Sequence, residues 1–302
     1  MLCASPISVR TGGRHESMLV GCGQCMPCRV NRRRIWVHRL MLEAALHGDK
    51  TFVTLTYDND HLPAGESLVP ADLRNFLKRA RKAFEPRRLR FFAAGEYGDT
   101  TQRPHYHLAL FGYPNCSYGQ SRYSRSYRDC CPACDLLRDT WGMGSVFLGE
   151  LSDSSASYVA GYVLKKMTAK DDGRLLGRHP EFARMSNRPG IGADMMHEVA
   201  STLMSLDLDE TQPDVPSALR HGTRTMALGR YLHRKLRTYV GKSPDSPEAV
   251  AAEQKAELQR LQEAQFSHSG RKSLRDVYVE ENLQKIRNLE GKQLLRPKKG
   301  SL

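Results

Sequence analysis

Four short runs of β-branched and aromatic residues, interleaved with amphipathic helical stretches, limit the architectures open to this chain. Thr51–Tyr57 (TFVTLTY), Leu89–Tyr97, His105–Gly112 and Ser145–Leu151 read as strands. Pro70–Phe84 sets an apolar face (Leu73, Phe76, Leu77, Phe84) against a basic one (Arg74, Lys78, Arg79, Arg81, Lys82), so it is predicted to be a helix, ended by Pro86. Helices are also expected over Arg29–His47, with Ile35, Leu42 and Leu46 at helical spacing and Gly48 as the stop, and over Ser154–Met167. The expected class is α+β, with strands and helices alternating around an antiparallel or mixed sheet, and the well-specified core spans about residues 29–170.

The flanking regions differ in composition. Residues 1–28 are short, irregular and rich in Cys and Gly, and 113–135 form a polar insertion rich in Cys, Tyr, Arg and Ser. Residues 171–242 read as a basic accessory region, with a Gly/Pro loop at Met185–Gly192 and a basic, helix-prone stretch at Met226–Thr238. After a linker at Ser243–Pro247, residues 243–302 form a charged extension with helices expected at Ala249–Gln265 and Leu274–Leu289.

Charge narrows the partners. Among 302 residues, 46 Lys and Arg face 33 Asp and Glu, a net charge of +13, which points first to nucleic acid because cations that neutralise phosphates release condensed counterions. No run approaches 18 apolar residues, so no membrane-spanning helix is expected, and the first residues lack the pattern of a secretory leader, so an intracellular protein is expected. There is no G-x-x-x-x-G-K-[ST] loop, which argues against an intrinsic ATP-driven helicase.

Seven of the eight cysteines fall in two groups, Cys22, Cys25 and Cys28, then Cys116, Cys130, Cys131 and Cys134. Two residues between thiolates suit a tetrahedral Zn²⁺ site better than a disulfide framework. The favoured version draws a pair from each group, among Cys22, Cys25 and Cys28 on one side and Cys131 and Cys134 on the other, stapling the N-terminal segment to the insertion. Reduced cysteines in loops and core are the alternative.

The chemistry concentrates in three places. In Arg103-Pro104-His105-Tyr106-His107, strand alternation puts His105 and His107 on one face, as a divalent-metal chelate or as two half-exposed histidines, and sends Tyr106 to the other face for packing. In Tyr158-Val159-Ala160-Gly161-Tyr162-Val163-Leu164-Lys165-Lys166 the two tyrosines lie one helical turn apart, with Lys165 and Lys166 following at the next. They serve either core packing or attack on a phosphodiester by a phenolic oxygen. Glu96 ends the strand before the histidines; if the two strands form a hairpin its carboxylate completes a three-ligand set, and otherwise it is an exposed strand end.

A TLTY strand, a strand ending in Glu, an H-x-H strand and a Y-x-x-x-Y helix with Lys, in that order, resemble the HUH rolling-circle replication initiators. Gly21-Cys22-Gly23-Gln24-Cys25-Met26-Pro27-Cys28-Arg29, Gly95-Glu96-Tyr97-Gly98 and Met185-Ser186-Asn187-Arg188-Pro189-Gly190-Ile191-Gly192 are similar to the replication initiation proteins of gokushoviruses, single-stranded DNA phages of the Microviridae. The resemblance spans about residues 20–240. It implies a central antiparallel, RRM-like sheet with flanking helices, and Mg²⁺ or Mn²⁺ on His105, His107 and Glu96. It also implies attack by Tyr158 or Tyr162 to leave a 5′-phosphotyrosine and a priming 3′-OH, with Lys165 or Lys166 steadying the developing charge. The implied partners are single-stranded DNA at a replication origin and the host's replication helicase and polymerase, in the bacterial cytoplasm. The basic runs suit phosphate contacts, with Arg32, Arg33, Arg34, Arg103, Lys78 and Arg79 as candidates and Tyr118, Tyr123 and Tyr127 for base stacking, although each run is equally compatible with a solvated surface. Two other readings are a zinc-stapled nucleic-acid-binding protein without catalysis and an HUH single-strand transposase.

Overall fold

In the computed structural model the described residues are 2–10, 17–98, 100–121, 130–165, 173–267 and 272–294. A hairpin of β1 (Ile7–Arg10) and β2 (Ser17–Val20) leads into α1 (Met26–Ala45), with Pro27 in its first turn, where a missing N–H breaks no helical bond. Then follow β3 (Lys50–Thr56), α2 (Pro70–Ala83), β4 (Arg90–Tyr97), β5 (Pro104–Phe111), α3 (Pro132–Trp141), β6 (Val146–Gly149), α4 (Asp153–Lys165) and β7 (Phe182–Met185). Past the sheet come α5 (Met195–Ser205), the short α6 (Leu208–Thr211), a hairpin of β8 (Ala218–His221) and β9 (Arg224–Ala227), and α7 (Gly229–Tyr239). Two long helices, α8 (Glu248–Ser267) and α9 (Leu274–Leu294), complete the description, and none of the described helices is long and apolar enough to cross a membrane.

The central sheet has five strands in the order β6-β3-β5-β4-β7, every pair antiparallel. The class is therefore α+β with a purely antiparallel sheet. Alternation along the strands divides the core in two. Val53, Leu55, Ala93, Tyr106, Leu108 and Leu110 face α2 and α3, meeting Leu73, Phe76, Leu137 and Trp141. Phe52, Phe92, Ala109 and Phe111 face α1 and α4, meeting Leu40, Ala44, Ala156, Val159 and Ala160. Tyr106 lies on the first face as expected, its hydroxyl bonded to Tyr57 (2.8 Å) and to the Val69 carbonyl (3.0 Å). A third cluster, built by α5 and α7 around Leu228, Leu232 and Leu236, abuts α1 at Leu42.

Three features depart from the sequence reading. The fifth strand, β7, lies beyond residue 170 and pairs with β4, where Gly95 makes room for it: a methyl there would sit 2.8 Å from the Phe182 ring. The 113–135 insertion contains the start of α3 rather than only loop. The N-terminal 28 residues hold a hairpin and the first turn of α1.

A buried ion pair ties these parts together. Glu43 of α1, fully buried, accepts hydrogen bonds from Arg90 of β4 and from the Gly192 N–H (2.7 Å), while Arg90 Nη2 donates to the Pro189 carbonyl (3.0 Å).

Candidate active site

The hairpin of β4 and β5 places Glu96 directly across from His105 and Ala94 across from His107. All of these side chains leave the sheet on the α1/α4 face, and the methyl of Ala94 leaves room for the carboxylate to reach both rings. Glu96 Oε1 lies 2.8 Å from His105 Nε2 and 3.0 Å from His107 Nε2. Each imidazole is held from behind. His105 Nδ1 donates to the Arg103 carbonyl (3.1 Å), and His107 Nδ1 is bonded to Thr54 Oγ1 on β3 (2.9 Å). Because a carbonyl only accepts, the Arg103 contact keeps a proton on Nδ1 of His105 and turns Nε2 toward Glu96.

Electrostatics bind the trio into one unit. Burial on its own raises the Glu96 carboxyl, but hydrogen bonds and charge from His105 and His107 outweigh it and hold the group at about 2. Burial pushes His105 down; the bond to Glu96, the Arg103 carbonyl and the nearby charge of Glu181 together carry it up. The donor atoms of Glu96, His105 and His107 lie within 4.8 Å of one another. One carboxylate oxygen and two imidazole nitrogens with ordered second partners fit a divalent cation and leave coordination positions for another ligand.

Above this cluster lies Tyr158 of α4. Its ring meets His107 edge-on at 5.1 Å and Phe52 at 6.0 Å, while Phe52 itself stacks on the His107 ring at 5.6 Å. His107 is therefore held between an aromatic from the sheet and one from the helix. Tyr162 follows one turn later on α4, and Lys165 is the last residue of that helix; their side chains, and the whole of Lys166, lie outside the described residues.

Residues 50–167, from the start of β3 to just past α4, match the family model of the replication-associated protein ORF2, and this stretch contains Glu96, His105, His107, Tyr158 and Tyr162. The chain resembles phage replication-associated proteins of the gokushovirus type. It is 34% identical over 158 residues to Replication-associated protein VP4 of Bdellovibrio phage phiMH2K, covering 50% of each chain. It is 32% identical over 201 residues to Replication-associated protein ORF2 of Spiroplasma virus 4 (62% of each chain), and 33% identical over 158 residues to Replication-associated protein ORF4 of Chlamydia phage 1 (50% of this chain, 39% of that one). The matched regions thus span 39–62% of these relatives' lengths. No solved structure matches.

The candidate DNA-contacting residues of this replication-protein-like chain divide between the two sides of the sheet. Arg32, Arg33 and Arg34 lie on α1, and Arg33 borders α4 beside Gly161, on the side of the histidines. Arg103 sits at the edge of the site, its guanidinium bonded to Asn59 Oδ1 (3.0 Å) and to the Tyr57 carbonyl (3.1 Å). Lys78 and Arg79 belong to α2, which covers the opposite face. Arg79 is engaged there, donating to the carbonyls of Thr140 (2.7 Å) and Trp141 (3.1 Å) at the end of α3. Tyr118 is exposed, whereas Tyr123 and Tyr127 lie outside the described residues.

Thr54 and Phe52 are site residues that the sequence reading did not single out. Alternation along TFVTLTY puts them on one face, but only the pairing of β3 with β5 shows that it is the histidine face.

The cysteines correct the expected cross-group pairing. They form two separate clusters, Cys3 with Cys22, Cys25 and Cys28, and Cys116 with Cys130, Cys131 and Cys134, each with its sulfurs within 4.8 Å. The β1–β2 hairpin folds back and delivers Cys3 to the first group, so neither group needs a pair from the other. Although burial raises both thiols, backbone N–H donors carry Cys22 and Cys131 down to about 6.

Proposed function

We propose that this chain is a phage replication initiator that nicks and rejoins single-stranded DNA at a replication origin through a 5′-phosphotyrosine. The observation that carries this reading is the packing of Tyr158 edge-on against His107, one of three convergent metal-type ligands. A divalent cation, Mg²⁺ or Mn²⁺, held by Glu96 Oε1 and the Nε2 atoms of His105 and His107 would supply neutralisation of the scissile phosphate and hold it in line.

The chain's own residues do the rest. The Tyr158 phenol loses its proton and its oxygen bonds to phosphorus as the bond to the 3′ oxygen breaks; that oxygen takes up a proton and becomes the 3′-OH that primes synthesis. The energy of the broken ester is kept in the new one, so a later 3′-OH attacks the phosphotyrosine and frees Tyr158 without an energy source. Tyr162, one turn away, serves the second cleavage, and Lys165 or Lys166 offsets charge on phosphate or phenolate. Thr54 and the Arg103 carbonyl fix the imidazoles, and Arg32, Arg33 and Arg34 of α1 hold the strand's phosphates. In this role the host's helicase and polymerase extend the 3′-OH in the host cytoplasm.

The test is incubation with circular single-stranded DNA of the source replicon and Mn²⁺, followed by denaturing electrophoresis. Wild type should give an SDS-resistant protein–DNA adduct. Tyr158→Phe should remove the first-strand adduct, and His105→Ala should lower it by at least about 100-fold. Folded wild-type protein that binds the DNA yet forms no adduct would favour the non-enzymatic binding protein.

A further inference from the structure

The two cysteine clusters share a plan that the proposed chemistry does not use. In each, a C-x-x-C pair spans a helix start with a proline in the first turn: Cys25-Met26-Pro27-Cys28 at α1 and Cys131-Pro132-Ala133-Cys134 at α3. Cys25 and Cys131 are the capping residues of these helices, and neither side chain caps a helical N–H. Each pair is completed from a distant segment. Cys3 and Cys22 flank the β1–β2 hairpin, and Cys116 and Cys130 bracket the loop between β5 and α3.

The spacing of the sulfurs is diagnostic. Cys3 and Cys25 lie 3.7 Å apart, Cys116 and Cys130 3.5 Å, Cys131 and Cys134 3.6 Å, and Cys116 and Cys131 3.9 Å. A disulfide needs about 2.05 Å. The edge of a tetrahedron with bonds of about 2.3 Å to a central ion is about 3.8 Å. Backbone N–H groups also point at sulfur: those of Ser5 and Cys22 at Cys3, that of Ala4 at Cys25, and those of Gln24 and Cys25 at Cys22, all at 3.3–3.4 Å. Such donors, together with a helix N-terminus, favour sulfur carrying negative charge. In the second cluster Ser121 Oγ lies 3.1 Å from Cys134 Sγ.

We propose that the chain holds two independent structural Zn²⁺ ions, one on Cys3, Cys22, Cys25 and Cys28 and one on Cys116, Cys130, Cys131 and Cys134. Loading exchanges thiol protons for Zn–S bonds and moves no electrons. The first ion locks the β1–β2 hairpin onto the start of α1, the arginine-bearing helix beside α4. It also lies next to α9, whose Tyr278 hydrogen-bonds the Cys3 backbone. The second closes the loop after β5 and fixes α3, whose Leu137 and Trp141 sit in the core.

Full-length protein, purified without chelator, should contain two zinc ions per chain by elemental analysis, and zinc-edge X-ray absorption should show sulfur-only coordination at about 2.3 Å. Cobalt exchanged into the protein should give thiolate-to-metal charge transfer with two equivalents bound, a signature that Glu96, His105 and His107 cannot produce. Cys22→Ser with Cys25→Ser should halve that signal, and so should Cys131→Ser with Cys134→Ser. One ion in the wild type, abolished by either double variant, would mean a single shared site and overturn the proposal. Disulfides found by mass spectrometry, or iron in place of zinc, would overturn it as well. The wild-type stoichiometry and coordination decide the matter even if a variant fails to fold.

Discussion

At the scale of single residues, the site depends on which atom of each imidazole is turned inward. Thr54 makes no contact with Glu96, yet its hydroxyl sits 2.9 Å from His107 Nδ1 and fixes which nitrogen faces the carboxylate. Partners of this kind are worth about 10- to 100-fold in metal affinity. Thr54→Val, similar in volume and as suited to a strand, should weaken Mn²⁺ binding by about that factor in calorimetric titration while leaving the circular dichroism spectrum unchanged. An affinity equal to wild type would show that Phe52 stacking alone orients the ring. The His105/His107 pair was legible from alternation on one strand, and Glu96 was legible once a hairpin was assumed. Thr54 and Phe52 were not, because their part depends on the register between β3 and β5. Cys3 stayed hidden because a hairpin separates it from its partners in sequence.

At the scale of elements, long periodic segments were readable and short ones were not. α2, α8 and α9 begin within a residue of their expected starts, and β3, β4 and β5 lie within a residue of their expected bounds. β7, β8 and β9 have four residues each, too few for alternation to register, and they exist through the pairings they make. α3 escaped because its first turn is Pro-Ala-Cys-Asp within a Cys-rich stretch that reads as loop. Geometry also separates basic residues that look alike in sequence. Arg79 closes the carbonyl end of α3, so Arg79→Ala should lower stability by about 1–2 kcal/mol and leave the salt dependence of DNA binding unchanged. Arg33→Ala, beside α4, should reduce the slope of log K against log salt by about 1. Equal slopes for the two variants would remove α1 from the DNA path.

At the scale of the whole molecule, Glu43 joins three regions distant in sequence: α1, the central sheet through Arg90, and the turn before α5 through Gly192. Burial alone raises its carboxyl, but bonds to His47, Arg90 and the Gly192 N–H bring it from 4.5 to about 2. A carboxylate lowered on folding stabilises the fold fully above its unfolded value, and that contribution is lost as pH falls toward the folded one. Glu43→Gln should therefore cost about 3 kcal/mol at pH 7, with the gap to wild type narrowing from about pH 5 down toward 2 in denaturant titrations. A gap that stays constant with pH would mean that packing, not charge, is lost.

The order of the sheet bears on how α4 is carried. β6 lies on one edge and β7 on the other, and α4 is the element between them in the chain, touching β4, β5 and β7 and packed against α1. Tyr158 thus sits on a beam whose two abutments are opposite margins of the same sheet. A pull on a strand attached there is shared across the hydrogen-bonded width of five strands instead of prying one helix loose from one side.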